Sequence, residues 1–270
     1  MFIDTFMFNG DWIAKLRLEY LYEYVDYFYI VESRYTYSGK RKDQLYVEIH
    51  SDWFLPYMQK VKILVNERAA VPNAWEEEAY QRNLVIEAVL RDFPDKEFAL
   101  AVCDCDEVYD FSMLPLKEQL VDLLKTHVYF PQMNFYYYNF THIIDGDLWT
   151  NPFIIHSDIL KTYPSLTEIR VDKHMRGKLL PTIRTPSGWH FSYFSSLSDI
   201  QRKIQSFSHT ELDREENTNL ETIARRVREG EDIFGRENLK LRELDFSSSD
   251  NRYPLLFYKY KEELSSLQSA

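Results

Sequence analysis

The sequence predicts an α/β protein: a mixed central sheet flanked by helices, with a helical C-terminal extension. Two observations carry that reading. A strand, a helix and a second strand follow one another within about the first 30 residues, the signature of a βαβ unit. Further on, the run Phe98 to Val102 is short, wholly apolar and bounded by Pro94-Asp95-Lys96 and by acids, as a buried strand is.

The elements follow in order. Residues 2 to 8 read as a first strand, and Asn9-Gly10-Asp11 as a turn into a helix beginning near Trp12. Ile13, Leu16, Leu18, Leu21 and Val25 recur at helical spacing through Tyr24. Tyr27 to Val31 is a second strand, and Lys60 to Val65 a third. Asn73 is expected to cap a long helix from about Ala74 to Leu90. After the strand 98–102, Ser112 is expected to start a helix over Met113 to Leu124. The aromatic-dense stretch Val128 to Phe140 reads as a strand or hairpin, with Asp145-Gly146-Asp147 as a hairpin turn and Trp149 to His156 as the returning strand. Pro181 to Ser187 is irregular, Ser198 is expected to cap a helix through Phe207, Glu211 to Glu243 reads as charged and mostly helical, and Tyr253 to Leu267 as a segment that packs back. The expected division is a catalytic domain over 1–210 and an extension over 211–270 resting on it.

Composition narrows the function. With 32 basic and 43 acidic residues the net charge is −11, which argues against nucleic acid as the partner. No segment is long and apolar enough to span a bilayer, and the N-terminus lacks the basic and apolar regions of a signal. The two cysteines, Cys103 and Cys105, supply no disulfide framework, so a reducing compartment, hence a cytoplasmic location, is the simplest expectation. Twenty tyrosines suit sugar-stacking surfaces, although an aromatic core explains them as well.

The most informative segment is Cys103-Asp104-Cys105-Asp106-Glu107. Acids at the C-terminal end of a buried strand stand on the edge where open α/β sheets bind ligands. Alternation along a strand sends Asp104 and Asp106 to one side, and their repulsion calls for a hard cation such as Mg2+ or Mn2+ shared with a diphosphate. Three other segments place unusual polar residues near strands. Glu32 to Lys40 follows the second strand with hydroxyls and cations. Gln81-Arg82-Asn83 could neutralise Asp104 or reach a diphosphate. Gly188-Trp189-His190 and Ser208-His209-Thr210-Glu211 offer imidazoles for a cation and an acid for proton removal.

Together these segments resemble glycosyltransferase family 17, whose best-known member is the bisecting N-acetylglucosaminyltransferase. The matching residues are Asp4 to Asn9, Val25 to Ser33 with Thr36 to Lys40, Gln81-Arg82-Asn83, Asp104 to Glu107 and Gly188-Trp189-His190, in family order over roughly 2–211. The resemblance implies a GT-A fold and an inverting, metal-dependent transfer of a sugar, N-acetylglucosamine first, from a UDP-sugar donor to an oligosaccharide, glycoprotein or lipid-linked glycan. It implies Mn2+ or Mg2+ held by Asp104 and Asp106, with His190 or His209 as further ligands. Asp4, Phe8, Glu32, Ser33, Arg82, Asp104, Trp189 and His190 are the expected donor contacts. Glu211, Asp145 and Asp147, in that order, are the candidates for the catalytic base. The residues alone also admit an inactive glycan-binding scaffold, or a metal-dependent phosphohydrolase or nucleotidyltransferase using the same acids.

Overall fold

The structure is a computed structural model that describes residues 1–163, 165–171, 185–245 and 253–269. Its first sheet holds β1 (Phe2–Met7), β2 (Tyr27–Ser33), β3 (Val61–Asn66) and β4 (Ala99–Asp104), parallel and in the order β3-β2-β1-β4. The second begins with β5 (Glu107–Tyr109) and continues with β6 (Met133–Tyr137) and β7 (His142–Trp149). β8 (Phe153–His156) returns to the first sheet, antiparallel to β4. β9 (Gly188–Ser192) and β10 (Leu241–Glu243) complete the second, in the order β10-β7-β6-β9-β5. The fold is therefore mixed α/β with two mixed sheets, flanked by helices.

Parallel strands need both faces covered, and the sequence supplies apolar residues at successive positions for that purpose. Phe2, Phe6, Phe28, Ile30, Ala99 and Ala101 enter one core, while their neighbours Ile3, Tyr29, Val31, Leu100 and Val102 enter the other. The helix Ala14–Leu21 covers the first face through Leu16, Leu18 and Leu21. The helix Ala74–Asp92 covers the second through Val85, Ala88 and Val89. Asn73 caps that helix as expected, its side chain accepting from the Trp75 amide at 3.0 Å. The C-terminal helix Leu255–Ser269 buries Phe257, Tyr260 and Leu264. No helix among the described residues is long and apolar enough to cross a membrane.

Several boundaries differ from the sequence reading. Asp145, Gly146 and Asp147 lie inside β7, so they make no hairpin turn. The β6–β7 reversal falls at Tyr138–Thr141, where the Asn139 side chain accepts from the amides of Thr141 (2.9 Å) and His142 (3.1 Å) and fixes the turn. The helix expected from Met113 starts at Lys117, beyond Pro115, after a single turn of 3-10 helix at Phe111–Met113. Ser196 rather than Ser198 caps the helix Leu197–Ser206, accepting from the Asp199 amide at 3.2 Å. The charged stretch after 211 contains the helix Leu220–Glu229 and also β10, which extends the second sheet beside β7. Of the irregular stretch Pro181 to Ser187, positions 181–184 lie outside the described residues.

Candidate active site

β4 ends at Asp104, Cys105 and Asp106 form a tight turn, and Glu107 opens β5, so this acidic segment joins the two sheets. The strand stops before Asp106, and the alternation that would set both aspartates on one side does not continue through the turn. They meet different partners. Asp104 accepts from Arg82 at 3.2 Å and from Arg170 at 2.5 Å. Asp106 accepts from Lys203 at 2.8 Å and has the His190 Nε2 at 3.6 Å. Lys203, on the helix Leu197–Ser206, also reaches Asp11 at 3.1 Å.

Glu107 is fully buried and organises the turn. It accepts from the Asp104 amide (2.6 Å), the Trp149 indole (2.5 Å) and both guanidinium nitrogens of Arg170 (3.2 and 2.9 Å). Beneath the turn, Arg17 donates to the backbone oxygens of Asp104 (3.3 Å), Cys105 and Glu107 and to both carboxylate oxygens of Asp4 (2.9 and 2.5 Å). The turn carbonyls, pointing into the protein, thereby gain the donor they need. His190 is fixed from both sides by rings, with the Phe135 centroid at 4.5 Å and the Trp149 centroid at 4.3 Å, both stacked.

These neighbours set the protonation. Burial pushes both aspartates up, but Arg170 and Arg82 beside Asp104 and Lys203 beside Asp106 outweigh it, holding the two carboxyls below the usual carboxylate range. Burial likewise opposes charge on Lys203, and Asp106 and Asp11 reverse that and raise its pKa well above normal.

The remaining expected site residues fall into two groups. Some support the site from within. Asp4 is fully buried and spends its carboxylate on Arg17. Phe8 packs edge-on against Phe54. Glu32, also fully buried, accepts from Lys42 (2.9 Å) and from the amides of Tyr46 (2.7 Å) and Val47 (2.8 Å). Ser33 accepts from Asn66 at 3.1 Å. Trp189 is buried and meets Phe257 of the C-terminal helix with its ring. All five side chains sit in enclosed positions. They brace the strands and the loop 34–41, and that loop brings Tyr37 to the charged cluster, where it feels Glu78, Arg82 and Asp104.

The others stand apart from the aspartates. His209 hydrogen-bonds Glu211 at 2.8 Å, and both are about half exposed. Asp145 is exposed and paired with Arg242 at 3.0 Å, about 13 Å along β7 from Trp149. Asp147 is on the same strand, and its side chain lies outside the described residues. Sequence reasoning missed Arg17, Arg170 and Lys203 as parts of the site, and gave Glu107 no role beyond its place in the acidic segment. Arg17 carried a signal, being a charge among the apolar residues Leu16 and Leu18; Arg170 and Lys203 carried none, as cations on amphipathic helices.

The paired acids and cations gather at the carboxyl edge of a parallel sheet where a second sheet joins it, the edge at which open α/β sheets bind ligands. The family model described as Glycosyltransferase family 17 matches residues 2–244, and the chain belongs to that family. It is a glycosyltransferase enzyme. No curated protein matches the chain.

Proposed function

We propose that this enzyme has a GT-A fold and transfers N-acetylglucosamine from UDP-N-acetylglucosamine to a glycan hydroxyl with inversion, using a divalent cation at Asp104 and Asp106. The observation that carries the reading is the charge around the turn. Among the described residues, five carboxylates (Asp11, Glu78, Asp104, Asp106 and Glu107) are joined by ion pairs to three cations (Arg82, Arg170 and Lys203), leaving two negative charges. That surplus matches one Mn2+ or Mg2+. The donor set fits as well: Asp106 Oδ1 and His190 Nε2 lie 3.6 Å apart, near enough to share an ion. Among the described residues, the acids here do not form a cage of three or more converging His, Cys, Asp or Glu ligands. Ions of this kind commonly complete their coordination with substrate phosphates and water.

Asp106 and His190 would hold the ion, with Asp104 on a bound water or the ribose. The ion's chemistry is Lewis-acid stabilisation of the charge on the departing diphosphate. Arg170, Arg82 and Lys203 add protein cations to the same charge, and their guanidinium forks or ammonium suit phosphate oxygens. In the reaction the acceptor oxygen bonds the anomeric carbon, the bond from that carbon to the phosphate oxygen breaks, and its electron pair leaves on UDP. Glu211, paired with His209, is the carboxylate assigned to take the acceptor proton. A cytoplasmic location follows the composition.

Purified enzyme given UDP-N-acetylglucosamine and Mn2+ is expected to release UDP slowly even without acceptor. Asp106→Ala is expected to abolish that release. Undiminished turnover in the variant would refute the cation assignment.

A further inference from the structure

On the helix Ala74–Asp92, Trp75, Glu78 and Arg82 follow at spacings of three and four and so share one stripe. The stripe begins at the helix N-terminus, on the same sheet edge as the acidic turn, because a helix crossing from β3 to β4 starts where β3 ends. Arg82 touches Asp104, and Trp75 stands about 10 Å further out along the axis. Trp75 is 49% exposed, unusual for an indole. The segment after Phe207 is fastened to this stripe: Ser208 Oγ hydrogen-bonds Glu78, and the His209 ring meets Trp75 edge-on with centroids 4.6 Å apart at 86°. His209 in turn holds Glu211 at 2.8 Å. The result is a corner with an aromatic wall, an imidazole and a carboxylate.

We infer that Trp75 and the His209–Glu211 pair form the subsite for the acceptor saccharide, the indole stacking on a pyranose ring whose hydroxyls the imidazole and carboxylate engage. The inference rests on the reading that places the donor diphosphate at Asp104 and Asp106. The corner's chemistry separates it from the diphosphate site. Around Asp104 and Asp106 three cations gather, as a phosphorylated group requires, whereas beside Trp75 stand the His209 imidazole and the Glu211 carboxylate, with Arg214 spent on the Glu211 backbone oxygen at 2.8 Å, and a carboxylate repels phosphate and accepts hydrogen bonds from hydroxyls. A plane with an apolar face and polar neighbours fits a neutral sugar, whose ring carbons present an apolar face and whose edges are hydroxyls. The separation of about 10 Å leaves room for the transferred sugar between the two sites.

The test uses the full chain, saturated with Mn2+ and UDP, on a surface panel of defined oligosaccharides, with Trp75→Ala and Trp75→Phe beside the parent. The exposed position of Trp75 keeps both variants folded. The parent is expected to bind at least one oligosaccharide, Trp75→Ala to bind it about tenfold more weakly, and Trp75→Phe to recover most of the loss. Calorimetry with UDP and Mn2+ is expected to give the same affinity for all three within about twofold. The inference is overturned if the parent binds no oligosaccharide, if Trp75→Ala binds as the parent does, or if Trp75→Ala loses about tenfold in UDP affinity, which would give the indole to the nucleoside. If the parent fails to bind UDP with Mn2+ while the oligosaccharide result holds, the donor-site reading fails and the saccharide subsite stands.

Discussion

Replacing Arg17 by Met probes what holds the acidic turn in place. Arg17 and Asp4 are both without solvent exposure, and Arg17 also serves three backbone oxygens of the turn. Burial opposes charge on both groups: it raises the Asp4 pKa above the usual carboxylate value against the pull of Arg17, while Asp4 and then Cys103 raise that of Arg17 well above normal and keep the guanidinium charged. Arg17→Met strands a buried carboxylate at a cost of about 3–5 kcal/mol, a large part of the 5–15 kcal/mol typical of a domain. Asp4→Leu strands the guanidinium at a similar cost. In the double variant Asp4→Leu/Arg17→Met neither charge remains, and the residual cost is that of carbonyls left without a donor, about 1–3 kcal/mol. The double variant is therefore expected to be more stable than either single one, and far more stable than the sum of the two losses allows. Urea unfolding of the four proteins measures the cycle. UDP release by the double variant is expected to stay low, because the clamp on the turn is gone even where the fold is restored. Single losses below about 1 kcal/mol, or losses that simply add, would refute the account of this pair.

Two further expectations concern other parts of the molecule. A Cβ at Gly188 would lie 2.6 Å from the Val108 carbonyl oxygen, so Gly188→Ala is expected to push β9 off β5, cost about 1–3 kcal/mol in urea unfolding and weaken Mn2+ binding through the displaced His190. Asp92 accepts from Lys62 and Tyr29, both at 2.7 Å, and these bonds hold its pKa at about 2, below its ordinary 3.8. Because the folded value is the lower one, this group's contribution is complete above 3.8 and is lost as pH falls towards 2. A carboxyl titration by NMR should find that midpoint, and Asp92→Asn should flatten the dependence of stability on pH across the same window.

The parts of this fold legible in the sequence are those decided locally. Tyr27 to Val31 is a strand because its aromatic and β-branched residues fit between two cores, and Asn73 caps a helix because its short amide reaches the next amides. The acidic turn was legible for the same reason, being one apolar run ended by charges. The error at Asp145-Gly146-Asp147 came from a turn-forming dipeptide that tertiary pairing kept inside a strand, while the Asn139 side chain fixed the reversal elsewhere. Arg170 and Lys203 reach the turn from 66 and 97 residues away, and no local pattern announces such a meeting. The enclosed Asp4 and Glu32 show the converse: an acid beside a strand reads as a ligand group until its internal cation is found.

Only Cys105 and Asp106 separate the last residue of one sheet from the first residue of the other. The spacing between Asp104 and Asp106 consequently acts as a gauge of how the two halves of the molecule are set. A substitution in either core that tilts one layer by a small angle transmits that tilt straight to the gap between the carboxylates, so their spacing reports on packing far from the turn.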